Sequence, residues 1–317
     1  IFVFDSLATY LPFFVLFAFA SNGFKLGDTE ERVQEDKARK FYNPSLKTIA
    51  VLLPFFAVMV YWVDVRPALA AHHTVVALQT PISYADEALN SFERALAYSN
   101  FGRGEIRGKL ADYAGEVLYE ERITDTELKR RVAEFTIQEM EKSIAQEPLD
   151  FRNYLYYASF LSGNYQTLSV VGISDALARA DDALARAEDL ASKKPILYLQ
   201  WGRIKTLQKD AAGAVVMFEK AAVLNPAAIE PQVRLALAYA KAGAREQSLE
   251  VARAVLNSAS HLDIRAYIEF AENFAALGAY DDAVATAQKA VELDPSLTEQ
   301  ADAFIKTLDA KKNAKMN

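Results

Sequence analysis

The feature that most narrows the fold is a spaced pattern that occurs twice. Tyr198, Trp201, Gly202, Ala214, Phe218, Ala221, Leu224 and Pro226 form one copy, and Tyr267, Phe270, Ala271, Ala283, Ala287, Ala290, Leu293 and Pro295 form the other, 69 residues on. That offset is one unit of 34 residues and one of 35, so a third unit is expected between them, over about Ile229 to Asp263. Leu235, Ala236, Tyr239, Gly243, Ser248 and Ala252 fall where this register puts them. Packing accounts for the spacing. Large residues (Trp201, Leu235, Phe270) fill the space between paired helices, and small ones (Gly202, Ala236, Ala271; Ala214, Ser248, Ala283) let those helices approach closely. Gly243 and Gly278 supply a left-handed turn between the two helices, a conformation without steric penalty for glycine. Lys209 stands where the first unit should carry that glycine, so a distorted turn is expected there. Pro226 and Pro295 end the second helix of their units.

The pattern resembles the tetratricopeptide repeat, a helix-turn-helix unit of about 34 residues. The resemblance implies a stacked α-solenoid that binds protein or peptide partners. Upstream the register survives in part. Ala88, Phe92 and Ala95 look like the second helix of a unit, and Tyr154, Tyr157 and Ala158 like the first helix of another, after Pro148. Its second helix is expected over Ser174–Ala191, with Ala183 and Ala187 inward and surplus residues in Gly163–Gly172. Glu105–Ala145 reads as a helical pair broken near Thr124–Thr126, where Thr124 or Asp125 caps the second helix. First-helix positions place Arg203, Leu207, Glu230, Lys241, Arg265 and Glu272 in a concave partner-binding groove. Their mixed charge suits a peptide segment; the bland alternative is a solvated surface.

In front of the repeats stand two apolar runs. Ile1–Ala20 has a single charge, Asp5, and is about the length needed to cross a bilayer core. Thr48–Val63 is the second, extended by Leu46 and by Lys47 if that side chain snorkels. Pro54 is tolerable inside a span, and Tyr61 and Trp62 suit the far interface. The first run lacks a basic leader, so it reads as a span rather than a signal peptide, with further protein expected upstream. Lys25, Arg32, Lys37, Arg39 and Lys40 lie between the runs, whereas only Arg66 follows before His72, which places the loop in the cytoplasm and the repeats outside the cytoplasmic membrane. The absence of Cys rules out thiol chemistry in this chain, and a net charge of −7 argues against nucleic acid as a partner.

The join between the spans and the repeats carries a second resemblance. Phe4-Asp5-Ser6-Leu7-Ala8-Thr9-Tyr10-Leu11-Pro12-Phe13-Phe14 resembles the penultimate span of O-antigen ligase/polymerase-like membrane proteins. Asp64-Val65-Arg66-Pro67-Ala68-Leu69-Ala70-Ala71 resembles the point where long-tailed members leave the membrane, and Ser91-Phe92-Glu93-Arg94-Ala95-Leu96-Ala97-Tyr98 the start of their repeat tail. The resemblance implies a bacterial inner-membrane glycosyltransferase that takes a glycan from an undecaprenyl-diphosphate carrier. The basic and histidine side chains that such proteins use lie in a loop upstream of their final spans, and no residue here matches them.

Within the chain no catalytic, cofactor or metal constellation is expected. His72 and His73 are adjacent, so on a helix they point about 100° apart and cannot chelate one ion together. Their sharper reading, with Arg66, is contact with a carrier phosphate at the membrane surface. His261 reads as structural or solvated. Phe101-Gly102-Arg103-Gly104 is a short turn without the lysine of a phosphate loop. Asp5 inside a span has a functional or an interfacial reading.

The expected fold is therefore all-α, with two transmembrane helices followed by a tetratricopeptide-repeat α-solenoid. The order is a transmembrane helix at 1–20, a cytoplasmic loop at 21–45, a transmembrane helix at 46–63, a linker with irregular helical pairs and a partial repeat at 64–150, the solenoid at 151–308 and a flexible tail at 309–317. The expected function is a protein-interaction domain on a glycan ligase/polymerase-like membrane protein. The alternative is a non-enzymatic, membrane-anchored scaffold of an envelope complex.

Overall fold

The computed structural model describes residues 46–258 and 262–316. The expected span at 1–20, the loop at 21–45 and His261 lie outside the described residues. All regular structure among the described residues is helical, and the chain divides into two compact units, residues 1–136 and 137–317.

The first unit begins with α1 (Leu46–Val60), a π turn (Tyr61–Val65) and α2 (Arg66–Gln79). Val60 and Arg66 are both right-handed helical, so these three pieces are one unbroken helix. The expected end of the span at Val63 is thus not the end of a helix. Pro67 explains the π turn. It has no N–H to give to the Val63 carbonyl, and its ring would crowd that oxygen in a regular helix. The backbone opens just before it: the Arg66 N–H donates to the Tyr61 carbonyl, skipping Trp62. The Trp62 carbonyl accepts from Asn100 Nδ2 instead, at 2.8 Å.

α3 (Ala85–Tyr98) runs back antiparallel to α2. Ala88, Phe92 and Ala95 are fully buried, as the partial register predicts, and α2 contributes Ala70, Thr74 and Ala77 to the same core. α4 (Arg103–Tyr119) adds Leu110, Ala114 and Val117, and Tyr113, whose ring meets Phe92 edge-on at 5.8 Å. Burial pushes the Tyr113 phenol up to about 12. α5 (Thr126–Gln146) starts where the break was expected: Asp125 Oδ1 accepts from the N–H groups of Glu127 and Leu128, both at 3.0 Å. Lys129 Nζ closes the end of α4 by donating to the carbonyls of Leu118 and Glu120.

In the second unit, α6 (Phe151–Gly163) pairs with α8 (Ala176–Ala191). Ala183 and Ala187 are buried as expected. The surplus expected at Gly163–Gly172, between α6 and α8, contains a short helix, α7 (Tyr165–Val170), anchored by the fully buried Leu168. Six helices follow: α9 (Pro195–Leu207), α10 (Ala211–Leu224), α11 (Ile229–Lys241), α12 (Arg245–Ser258), α13 (Ile264–Ala276) and α14 (Tyr280–Leu293). Their starts recur at intervals of 34 and then 35 residues in both helices of each pair, the register read from the sequence. Trp201, Leu235 and Phe270 are all buried in the pairs, as are Gly202, Ala236 and Ala271 opposite Ala214, Ser248 and Ala283. α15 (Thr298–Met316) continues as helix past the expected end at Leu308. It buries Leu308 against Phe270 and Phe274, and Lys312 Nζ pairs with Asp281 of α14 at 2.6 Å. A polar helix that covers the last apolar face is what a solenoid end requires.

The turn at Lys209 is not distorted. Lys209 adopts φ 61°, beside 77° at Gly243 and 74° at Gly278. The paired bonds that close the turn are the same in all three: Lys209 to Thr206 with Asp210 to Lys205, Gly243 to Ala240 with Ala244 to Tyr239, and Gly278 to Ala275 with Ala279 to Phe274. Tertiary packing thus holds a lysine in a left-handed conformation that costs about 1 kcal/mol. Replacing Lys209 with Gly is expected to raise stability by a few tenths to about 1 kcal/mol, read as a higher urea midpoint at unchanged slope.

The α9–α10 pair has no room for a side chain at Gly202. A methyl group on Gly202 would lie 2.5 Å from the Phe218 ring, which is itself buried. The matching pairs, Ala236 with Ala252 and Ala271 with Ala287, carry no ring, so alanine fits there. Gly202→Ala is expected to cost about 1–3 kcal/mol, and Phe218→Leu in the same chain to recover part of it, giving a non-additive double-mutant cycle in denaturant unfolding.

Candidate functional site

The first helices of successive pairs, α6, α9, α11 and α13, share one face. Its positions recur with the repeat: Ile196, Glu230 and Arg265 at one level, Gln200, Arg234 and Glu269 one turn on, and Arg203, Leu237 and Glu272 a turn beyond. Polar contacts run from helix to helix along it. Gln200 Nε2 donates to Ser162 Oγ at 3.0 Å, linking α9 to α6. Arg203 pairs with Glu230, linking α9 to α11. Arg234 reaches Glu269 at 3.1 Å, linking α11 to α13, and Arg265 Nε meets the same carboxylate at 3.1 Å.

Between α11 and α13 this face opens into a groove of about 430 Å³. Ile229, Val233, Leu262 and Ala266 provide its apolar lining, and Glu230, Arg234, Arg265 and Glu269 its charges. Asp263 borders it and is occupied locally, since Oδ1 caps α13 by accepting from the Ala266 N–H at 2.7 Å. A buried bridge underneath fixes the spacing of the walls. Ser248 Oγ of α12 donates to the Ala236 carbonyl of α11 at 2.7 Å and accepts from Asn273 Nδ2 of α13 at 2.9 Å.

The structure brings together only part of the predicted site. Glu230 and Arg265 line the groove, and Arg203 touches its rim through Glu230. Leu207, Lys241 and Glu272 lie outside the groove, farther along their helices. Leu207 and Lys241 are in the last turns of α9 and α11, and Lys241 stands about 16 Å along the helix from Glu230. Glu272 is exposed two turns beyond Arg265. Arg234 and Glu269, which carry the least exposed charged link on this face, are missing from the predicted set. Each is one helical turn after a predicted residue, Glu230 and Arg265, so the i, i+4 rule was the available signal.

Arg66, His72 and His73 each make contacts of their own. Arg66 donates to the Ala97 carbonyl at 2.6 Å and lies over the Trp62 ring at 4.3 Å. It therefore closes the end of α3, where a cation is favoured. His73 stacks on Tyr98 at 5.6 Å, while His72 meets it edge-on and is exposed.

No family model and no curated protein matches this chain. Solved structures do. The chain is similar to a thermophilic tetratricopeptide-repeat protein of Thermus thermophilus, with 20% identity over 65% of this chain and 98% of that one, TM-score 0.43. It is similar to PilF of Pseudomonas aeruginosa, with 16% identity over 78% of this chain and all of that one, TM-score 0.47. MamA is a third, with 19% identity over 57% of this chain and 99% of that one, TM-score 0.43. The helix pairs form a tetratricopeptide-repeat domain. That assignment rests on their own register, with helix starts 34 and 35 residues apart and the same turn at Lys209, Gly243 and Gly278.

The charged links differ in weight. The Arg234 and Glu269 side chains are 26% and 20% exposed, whereas Arg265 is 77% exposed and joins Glu269 within one helix. Double-mutant cycles with glutamine are expected to give a coupling of about 0.5–1 kcal/mol for Arg234 with Glu269 and only a few tenths for Arg265 with Glu269. Equal couplings in denaturant unfolding would contradict this ordering.

Proposed function

We propose that this chain is a membrane-attached docking scaffold whose repeat face holds a protein partner through a peptide segment. One observation carries the reading: the groove between α11 and α13 combines an apolar floor with charges of both signs held in place by a helix-to-helix ladder. Such a face offers fixed charge positions to a mixed-charge peptide, and the enclosed geometry of a catalytic pocket is not needed for that. Attachment is supported by Leu53–Gln79, the one helix among the described residues that is long and apolar enough to cross a membrane. Its Leu53, Phe55 and Val58 side chains are exposed.

The finer reading is that the scaffold belongs to an O-antigen ligase/polymerase-like membrane protein and faces away from the cytoplasm. It draws on the resemblance of segments 4–14, 64–71 and 91–98 and on the excess of Lys and Arg between the two apolar runs. An undecaprenyl-diphosphate-linked glycan would then be handled upstream of the repeats. The exposed His72 would stand at the membrane surface, where a carrier phosphate passes. A scaffold without enzymatic activity shares everything except that upstream part.

One cross-linking experiment tests side and partner together. Lys241→Cys, Glu272→Cys and Val223→Cys are placed singly in the chain, which has no native cysteine. Lys241 and Glu272 lie on the first-helix face, and Val223 is 76% exposed on α10, a second helix. With a membrane-impermeant maleimide photocross-linker on right-side-out vesicles, the expected result is labelling at all three positions and protein adducts from 241 and 272 but not 223. Adducts from 223 alone, or from none, overturn the docking face; labelling only in inverted vesicles overturns the orientation.

A further inference from the structure

Phe101 is 75% exposed, in the turn that joins α3 to α4, and the docking face makes no use of it. The turn is built to hold it out. Ser99 is fully buried and its Oγ donates to the Phe101 carbonyl at 2.5 Å. Arg103 Nε donates to the Ser99 carbonyl at 3.0 Å, and Gly102 takes φ 76°, a left-handed bend that a larger residue resists.

The level of this turn along the long helix can be read from its contacts. α3 descends antiparallel to α2, with Tyr98 stacked on His73, Ala97 accepting from Arg66 and Asn100 bonded to Trp62. Phe101 follows next in the same direction. Trp62 stands about 24 Å along the helix from Leu46, close to the thickness of a bilayer's hydrocarbon core. Asp64 and Arg66, just beyond it, are the first charges after Lys47. Tyr61, Trp62 and Phe101 thus form one exposed aromatic level, and the same two segments carry Arg66 and Arg103 together with Asp64 and Glu105. Aromatic rings next to basic side chains are what the headgroup zone of a bilayer selects.

We infer that the α3–α4 turn is a second membrane contact, with Phe101 inserted at headgroup depth beside Trp62. The inference rests on the reading of the apolar segment that opens the long helix, residues 46–63, as a membrane span. It makes the first unit lie against the bilayer at a fixed height: the span is one anchor point, and the turn resists tilting about it. α4 then runs away from the surface, since Tyr113 approaches Pro81 at the far end of α2.

Nitroxide labels at Phe55→Cys, Phe101→Cys and Tyr119→Cys, in the full chain in phosphatidylethanolamine/phosphatidylglycerol nanodiscs, test it. Tyr119 is 88% exposed at the opposite end of α4 and serves as the aqueous reference. The expected result is strong relaxation by oxygen and little by an aqueous nickel chelate at 55, severalfold lower nickel accessibility at 101 than at 119, and full nickel accessibility at 119. A label at 101 as water-accessible as that at 119, with 55 in lipid, overturns this inference and leaves the span standing. A water-accessible label at 55 overturns the span and the inference together.

Discussion

Close approach of paired helices at small residues is the constraint on which the repeat region depends. Gly202, Ala236 and Ala271 let the second helix of each pair come near enough for its own inward residues to fill the space. The volumes compensate within a pair: where the first helix gives up its Cβ at Gly202, the second supplies the Phe218 ring. Once a pair closes to this distance, its turn has one geometry, and Lys209 is forced into the same left-handed conformation that Gly243 and Gly278 adopt freely. The energy for that strain comes from packing, which outweighs a local preference of about 1 kcal/mol.

This ordering of energies explains what the sequence did and did not disclose. Burial periodicity made the pairs, their 34/35 register and the inward Ala88, Phe92 and Ala95 readable, because each is a matter of which residues face inward, and capping chemistry did the same for the break at Asp125. The Lys209 turn misled because propensity was weighed without the packing that overrides it. The surplus at 163–172 could be located but not given a structure, because α7 is a short helix held by Leu168, too brief to show a period. Half of the groove was legible. Glu230 and Arg265 follow from the face of one helix, whereas the Arg234–Glu269 link depends on which residues meet across two helices. Charge reversal at Arg203 or Arg265 illustrates the difference. It sets a glutamate against Glu230 or Glu269 and disturbs the scaffold as well as any partner.

At the other end of the chain a single proline shapes the junction. Composition places the end of the apolar run near Val63, and the backbone ignores that boundary. Pro67 moves the break in the hydrogen-bond ladder to Tyr61–Val65, where the helix widens rather than stops. Asn100 satisfies the released Trp62 carbonyl and Arg66 caps α3, so the bulge is welded to the helix that returns beside it. A flexible linker there would let the first unit swing. A continuous helix with its one irregular turn held by a neighbour keeps it in register with the apolar segment.

The same logic bears on how a partner is held. Charges already paired along the ladder, such as Arg234 and Glu269, offer a partner only what remains after their mutual hydrogen bonds, so they contribute more to position than to affinity. The binding energy has to come from surface that is not already committed. On this face that means the apolar lining at Ile229, Val233 and Leu262 and exposed side chains beyond the ladder, such as Glu272, Lys241 and Tyr156, which is 62% exposed on α6. A peptide that buries an apolar anchor between α11 and α13 while meeting those side chains uses both kinds of surface. Swapping charges in the ladder alone would then act chiefly on register and on-rate.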